Sequence, residues 1–120
     1  MGEKAGGEVK LSQGFVNGDQ FSPAVTTLPN GNIAVAFVDL RGGDNDIYVQ
    51  IWSPTLTFIR QDNINTGALQ TVDPSITALA GGAYAISYTQ GTGADTDIIG
   101  QLVSGAGGVG GPVRHFQRYR

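Results

Sequence analysis

At 120 residues with a net charge of −3 and no cysteine, the chain is sized for one small domain; disulfide scaffolds and Cys-ligated metal centres are excluded. Charged residues are only 14% of the chain and Gly numbers 19, an alphabet that writes no amphipathic helix face, so an all-β protein is expected. The longest apolar run, Ile33 to Val38, falls far short of the ~20 residues of a membrane helix, and no apolar stretch follows Met1 to Lys4, so neither a membrane span nor a signal peptide is expected in this chain.

In chain order, Glu8-Val9-Lys10-Leu11-Ser12 alternates polar and apolar and predicts a strand. Ala24–Leu28 is the next strand, ended by the turn sequence Pro29-Asn30-Gly31-Asn32. Ile33–Val38 follows, then a loop over Asp39–Asn45, then a strand over Asp46–Ser53 closed by Pro54. A weaker, polar strand is expected near Gln61–Asn65. Three further strands are expected over Ser75–Leu79, Ala83–Thr89 and Asp97–Ser104. Gly105–Gly111 has the composition of a flexible linker. Val113–Arg120 is a basic tail, expected either to take an outer strand position or to hang free.

A repeat organises these elements. Pro23–Ser53 and Pro74–Ser104 align without a gap at a shift of 51 residues. Leu28 matches Leu79, Gly31 matches Gly82, Asp44 and Asp46 match Asp95 and Asp97, and Gln50 matches Gln101. Character persists where identity does not: Val25 with Ile76, Ile33 with Tyr84, Val35 with Ile86, Phe37 with Tyr88. The units divide the chain into an N-terminal segment (1–17), a first repeat (18–68), a second repeat (69–104) and the tail (105–120).

Each unit has the size and strand content of a four-stranded antiparallel β-propeller blade. Ile33, Val35 and Phe37 make one face of their strand large, whereas Ala34, Ala36 and Val38 make the other smaller. Tyr84, Ile86 and Tyr88 stand opposite Ala85 and Ser87 in the same way. A strand apolar on both faces is covered on both faces, and large-on-small stacking of blades satisfies that pattern twice. The competing arrangement is a sandwich made by the two repeats alone, which would place polar residues at Ala34, Ala36 and Ala85.

Gly43-Asp44-Asn45-Asp46-Ile47-Tyr48-Val49-Gln50, preceded by Gly18-Asp19-Gln20-Phe21-Ser22-Pro23-Ala24-Val25 and by Asn30–Phe37, resembles the tandem repeats of large bacterial secreted and surface proteins of adhesin-like type. Those repeats read G-D-x-x-P-x-V, then D-G-x-x-V-x-W, then D-I-Y-x-Q. The resemblance runs from about Gly18 to Ser104 and is looser in the second unit, where Ile99 stands in place of the aromatic. It implies propeller-like blades, a secreted or cell-surface setting and an association with calcium.

Two blades leave an apolar face at each end, while propellers close with about four to eight. A closed homo-oligomer is therefore expected, a trimer of six blades being favoured over a dimer of four or a tetramer of eight. Residues 8–12 precede Pro23 much as Gln61–Asn65 precede Pro74, so they are expected to be an exchanged outer strand completing a neighbour's second blade.

Candidate chemistry is sparse. Asp44, Asp46, Asp95 and Asp97 recur at one place in each repeat and are candidate ligands for calcium, which takes six to eight oxygens. Asp side chains that accept backbone N–H bonds at a turn would fill the same positions. Tyr48, Trp52 and Arg41 form the candidate carbohydrate site, since aromatic faces stack on sugar rings and Arg supplies directional bonds; Arg60 lies beside the same repeat. Blade packing is the alternative role for both aromatics. The one His, His115, lies in the tail, and Glu3 and Glu8 are terminal, so no nucleophile–base pair or Glu pair is written and no enzyme is expected.

Between Leu11 and Val113 eight Asp face two Arg, a net of −6, which repels a phosphate backbone and argues against nucleic acid as partner. The expected function is a non-enzymatic propeller-type binding or assembly module for carbohydrate or another surface ligand. Its alternative is a purely structural two-blade fragment with no ligand of its own.

Overall fold

The computed structural model describes residues 8–12, 14, 18–40, 45–65, 70–91, 93–105 and 113–114. Arg41 and Asp44, of the expected sites, lie outside the described residues, as does His115. The expected all-β class is met. Strands β1 (Gln20–Thr27), β2 (Ile33–Asp39), β3 (Asp46–Trp52) and β4 (Phe58–Asn65) form one antiparallel sheet in chain order. Strands β5 (Thr71–Ala78), β6 (Tyr84–Gln90), β7 (Asp97–Val103) and the two-residue β8 (Val113–Arg114) form the second. The one helical element among the described residues is a 3-10 turn at Ala80–Gly82, and no described helix is long and apolar enough to cross a membrane.

The repeat is written in the backbone as well as in the side chains. β1 and β5 each carry a register shift, between Phe21 and Ala24 and between Val72 and Ser75, where Ser22 and Asp73 take φ of 54° and 57°. Pro23 and Pro74 lack the N–H that a ladder needs, and a bulge is where such a residue is tolerated. The strands therefore run through the prolines and start at Gln20 and Thr71, earlier than the sequence suggested. Both first hairpins close alike: Leu28 N–H donates to the Asn32 carbonyl at 2.8 Å and Leu79 N–H to that of Ala83 at 2.9 Å. Gly31 and Gly82, inside those turns, have φ of 91° and 80°, values an L side chain resists.

β4 begins at Phe58 rather than near Gln61, because the turn after β3 is short and well bonded. Ser53 N–H donates to the Thr57 carbonyl at 2.8 Å and Ser53 Oγ accepts from Thr57 N–H at 3.0 Å. β8 pairs Val113 with Gly100 and Arg114 with Ile99, the register that Asp62 and Asn63 hold against Val49 and Tyr48, again 51 residues apart. The tail thus supplies a short fourth strand. Residues 8–12 form no strand with the chain's own sheets.

The two sheets stack face to face. The smaller face of the first sheet, with Ala34, Ala36, Val38, Ile47, Val49 and Ile51, shares one buried cluster with Tyr84, Ile86, Tyr88, Ile99 and Val103 of the second. Large side chains fill the space that small ones leave, as the alternation predicted. A smaller cluster lies on the opposite face of the first sheet, where Val35, Phe37 and Trp52 are joined by Leu11, Ile33, Tyr48 and Leu56.

Candidate functional site

Tyr48 and Trp52 lie on the same outward face of β3, as alternation requires. Tyr48 is half-buried beside Phe37, ring centroids 6.2 Å apart and planes tilted by 30°. Trp52 is only 3% exposed, its indole edge-on to Phe58 at 5.5 Å and 76°. Its Nε1–H is buried and meets no acceptor. Trp52 is therefore a packed side chain in this chain, not an open platform. A cavity of about 180 Å³ lies on the same sheet, lined by Leu11, Phe21, Pro23, Val35 and Phe37 with Gln20.

The acidic positions sit at strand entries. Asp46 opens β3 opposite Asp39, and Asp97 opens β7 opposite Gln90, so the repeated pair is divided between two sheets. Asp39 is buried and its Oδ1 accepts from Gln20 Nε2 at 2.9 Å. Asp95 is exposed. Among the described residues, no three His, Asp or Glu side chains gather as they would around a metal ion. The loop before β3 instead joins the sheets: Asn45 N–H donates to Gln70 Oε1 at 2.9 Å, and the Asn45 carbonyl accepts from Thr71 N–H and Oγ1 at 3.1 and 2.7 Å.

Arg60 is engaged across the sheet interface. Its Nε and Nη2 meet both oxygens of Asp62 at 3.0 and 3.3 Å, and its Nη1 donates to the Gly105 carbonyl at 3.3 Å. Asp62 is 5% exposed and also accepts from the Tyr84 hydroxyl at 2.7 Å. Burial first, then the adjacent carboxylate, pushes the Tyr84 phenol far above its ordinary pKa, with Arg60 opposing. A second tie joins Gln101 Nε2 to the Tyr88 hydroxyl at 2.7 Å and to the Ile64 carbonyl at 3.3 Å. Sequence reasoning missed the role of Asp62. Only the Gln50–Gln101 match and the Phe37-to-Tyr88 change in the repeat hinted at the second tie.

What the sheets leave open is as informative as what they bury. At a shift of 51, Ile47 and Ile51 correspond to Ile98 and Leu102; the first two are 0% exposed, the second two 49% and 62%. Leu28 is buried and its counterpart Leu79 exposed, while Ile76 packs on the inner core and its counterpart Val25 is 66% exposed. The outer face of each sheet is thus the counterpart of the inner face of the other. With this geometry in hand, comparison with family models, with curated proteins and with solved structures finds no match for the chain.

Proposed function

We propose that the chain is a non-enzymatic assembly module of the propeller type, each sheet a blade whose work is to stack on another blade. One observation carries this reading: Val25, Leu79, Ile98 and Leu102 are exposed at positions whose counterparts in the other repeat pack within the core between the sheets. A two-sheet sandwich complete in itself would have polar residues there, since exposed apolar area of this kind marks contact surfaces. The large-on-small packing of the first sheet against the second supplies the template, and the resemblance to bacterial surface repeats adds a secreted or surface setting.

Binding of carbohydrate or another surface ligand at Tyr48, Trp52 and Arg41 is the second reading. The half-buried Tyr48 ring favours it. Trp52 weighs against it, because an indole only 3% exposed offers no face to a sugar ring.

The test is an environment-sensitive apolar dye added to the dilute chain. Open stacking faces bind the dye, and Leu102→Asp and Val25→Asp each reduce the signal. A signal absent in the parent chain, or unchanged in both variants, overturns the stacking reading.

A further inference from the structure

We propose that the cavity on the outer face of the first sheet binds a small uncharged ring carrying one hydroxyl group, a ligand of the simple-phenol class. The inference does not rest on the stacking reading: it concerns a face that the chain already partly closes for itself with Leu11.

The bulge in β1 builds the cavity. Phe21 pairs with Val38 and Ala24 with Ala36, so β1 advances three residues while β2 advances two. The extra residue takes Pro23 out of the register in which it would stand opposite Ala36, and Pro23 lines the outer side together with Val35 and Phe37. Leu11 and Ser12 add the wall that the sheet does not supply. Pro23 is exposed and marks the way in. The second repeat carries the same bulge, but there Pro74, Ile86 and Tyr88 are buried, the last two in the core shared with the first sheet. The place that the first sheet fills in one repeat is left as a cavity in the other.

The lining selects the occupant. Leu11, Phe21, Pro23, Val35 and Phe37 are apolar, no lining side chain is charged, and the volume is about 180 Å³. A cavity of about 150 Å³ with walls of this kind stays dry and accepts benzene. A sugar ring is excluded, because its several hydroxyls would lose water and meet carbon. One polar corner remains. Gln20 Nε2 donates to Asp39 Oδ1 at 2.9 Å and to the Gly18 carbonyl at 3.2 Å, which fixes the amide with Oε1 towards Ser12. Ser12 Oγ lies 3.5 Å from that Oε1, beyond the reach of about 3.0 Å of a good O–H···O bond. A ligand hydroxyl set between them donates to Gln20 Oε1 and accepts from Ser12, while its ring rests against Val35 and Phe37.

The experiment follows the Leu11 and Val35 methyl resonances of the dilute full chain by NMR as phenol, toluene or glucose is added. Phenol and toluene are expected to give saturable ring-current shifts, and glucose none. Phenol should bind about three- to tenfold more tightly than toluene through its hydroxyl. Leu11→Trp fills the cavity and should abolish both responses at Val35, with circular dichroism verifying its fold. Ser12→Ala leaves the volume nearly unchanged and should lower phenol affinity towards that of toluene. No saturable shift with either ring in the parent, or shifts that persist in folded Leu11→Trp, overturns the site. Equal affinity for phenol and toluene in the parent, or a preference that Ser12→Ala leaves untouched, overturns the hydroxyl-bearing class. Methyl shifts that follow chain concentration and answer to no ring assign the cavity to a second copy and likewise overturn the ligand.

Discussion

The Tyr84 hydroxyl of the second sheet donates a 2.7 Å hydrogen bond to the Asp62 carboxylate of the first, a buried polar contact set between two largely apolar faces. Arg60 completes the arrangement from the same strand as Asp62. Buried carboxylates persist only when charge and hydrogen bonds compensate the loss of water, and here both partners are present.

Tyr84→Phe is therefore expected to lower stability by about 1–3 kcal/mol, because the carboxylate loses a donor that water cannot replace. Urea unfolding measures it. A change within a few tenths of a kcal/mol would show that Arg60 alone satisfies Asp62.

The same pair sets an alkaline limit. The folded-state pKa of Tyr84 lies above its ordinary value of 10.0, so the folded chain holds its proton while the unfolded chain releases it. The contribution is fully present below pH 10 and declines as pH rises further. The fall in unfolding free energy above pH 10 should be shallower in Tyr84→Phe than in the parent. Equal slopes would remove Tyr84 as a cause.

The repeat gives an internally controlled pair of substitutions. Ala36 is buried between the sheets, and its counterpart Ser87 is only half-buried on the outer face. Ala36→Leu should overpack the core and destabilise by about 1–3 kcal/mol. Ser87→Leu should change the stability of a dilute chain little and act instead on association. Similar losses of stability from both would show that the second face is already covered within one chain.

How much of this was legible follows from where the information lies. The 51-residue register, the strand alternation and the large-on-small stacking were readable because Ile33–Val38 and Tyr84–Thr89 state a face at every residue. Bulges at Ser22 and Asp73 were not, since a proline after a polar residue reads as a boundary unless its missing N–H is placed opposite a partner strand. Asp62 and Arg60 were opaque for another reason. Their importance comes from Tyr84, 22 residues further on, and no local pattern announces a contact between sheets. Trp52 stood in the sequence as a candidate platform, with blade packing beside it as the other role, because alternation places it with Tyr48; that it packs against Phe58 depends on the turn at Ser53–Thr57.

Calcium is tested by melting. Asp46 and Asp97 open strands of different sheets, and a ligand that binds only the folded state raises the melting temperature with its concentration. Curves taken with millimolar calcium and with chelator are expected to coincide, while Asp46→Ala lowers the melting temperature in both. A rise that tracks calcium concentration and disappears in Asp46→Ala would instead establish a metal site in these loops.

Trp52 fluorescence tests the sugar reading directly. A buried indole beside Phe58 should emit as an apolar-environment tryptophan and remain unaltered across a panel of mono- and oligosaccharides. A saturable shift with one sugar, lost in Tyr48→Ala, would restore Tyr48 and Trp52 as a binding site.

The central claim, that one chain is an incomplete stack finished by its own copies, stands or falls on the mass of the full chain in solution. Light scattering across the micromolar range should give a concentration-independent mass at a small whole number of chains, three being the favoured value because it makes six sheets. A stable single-chain mass throughout that range would contradict the account.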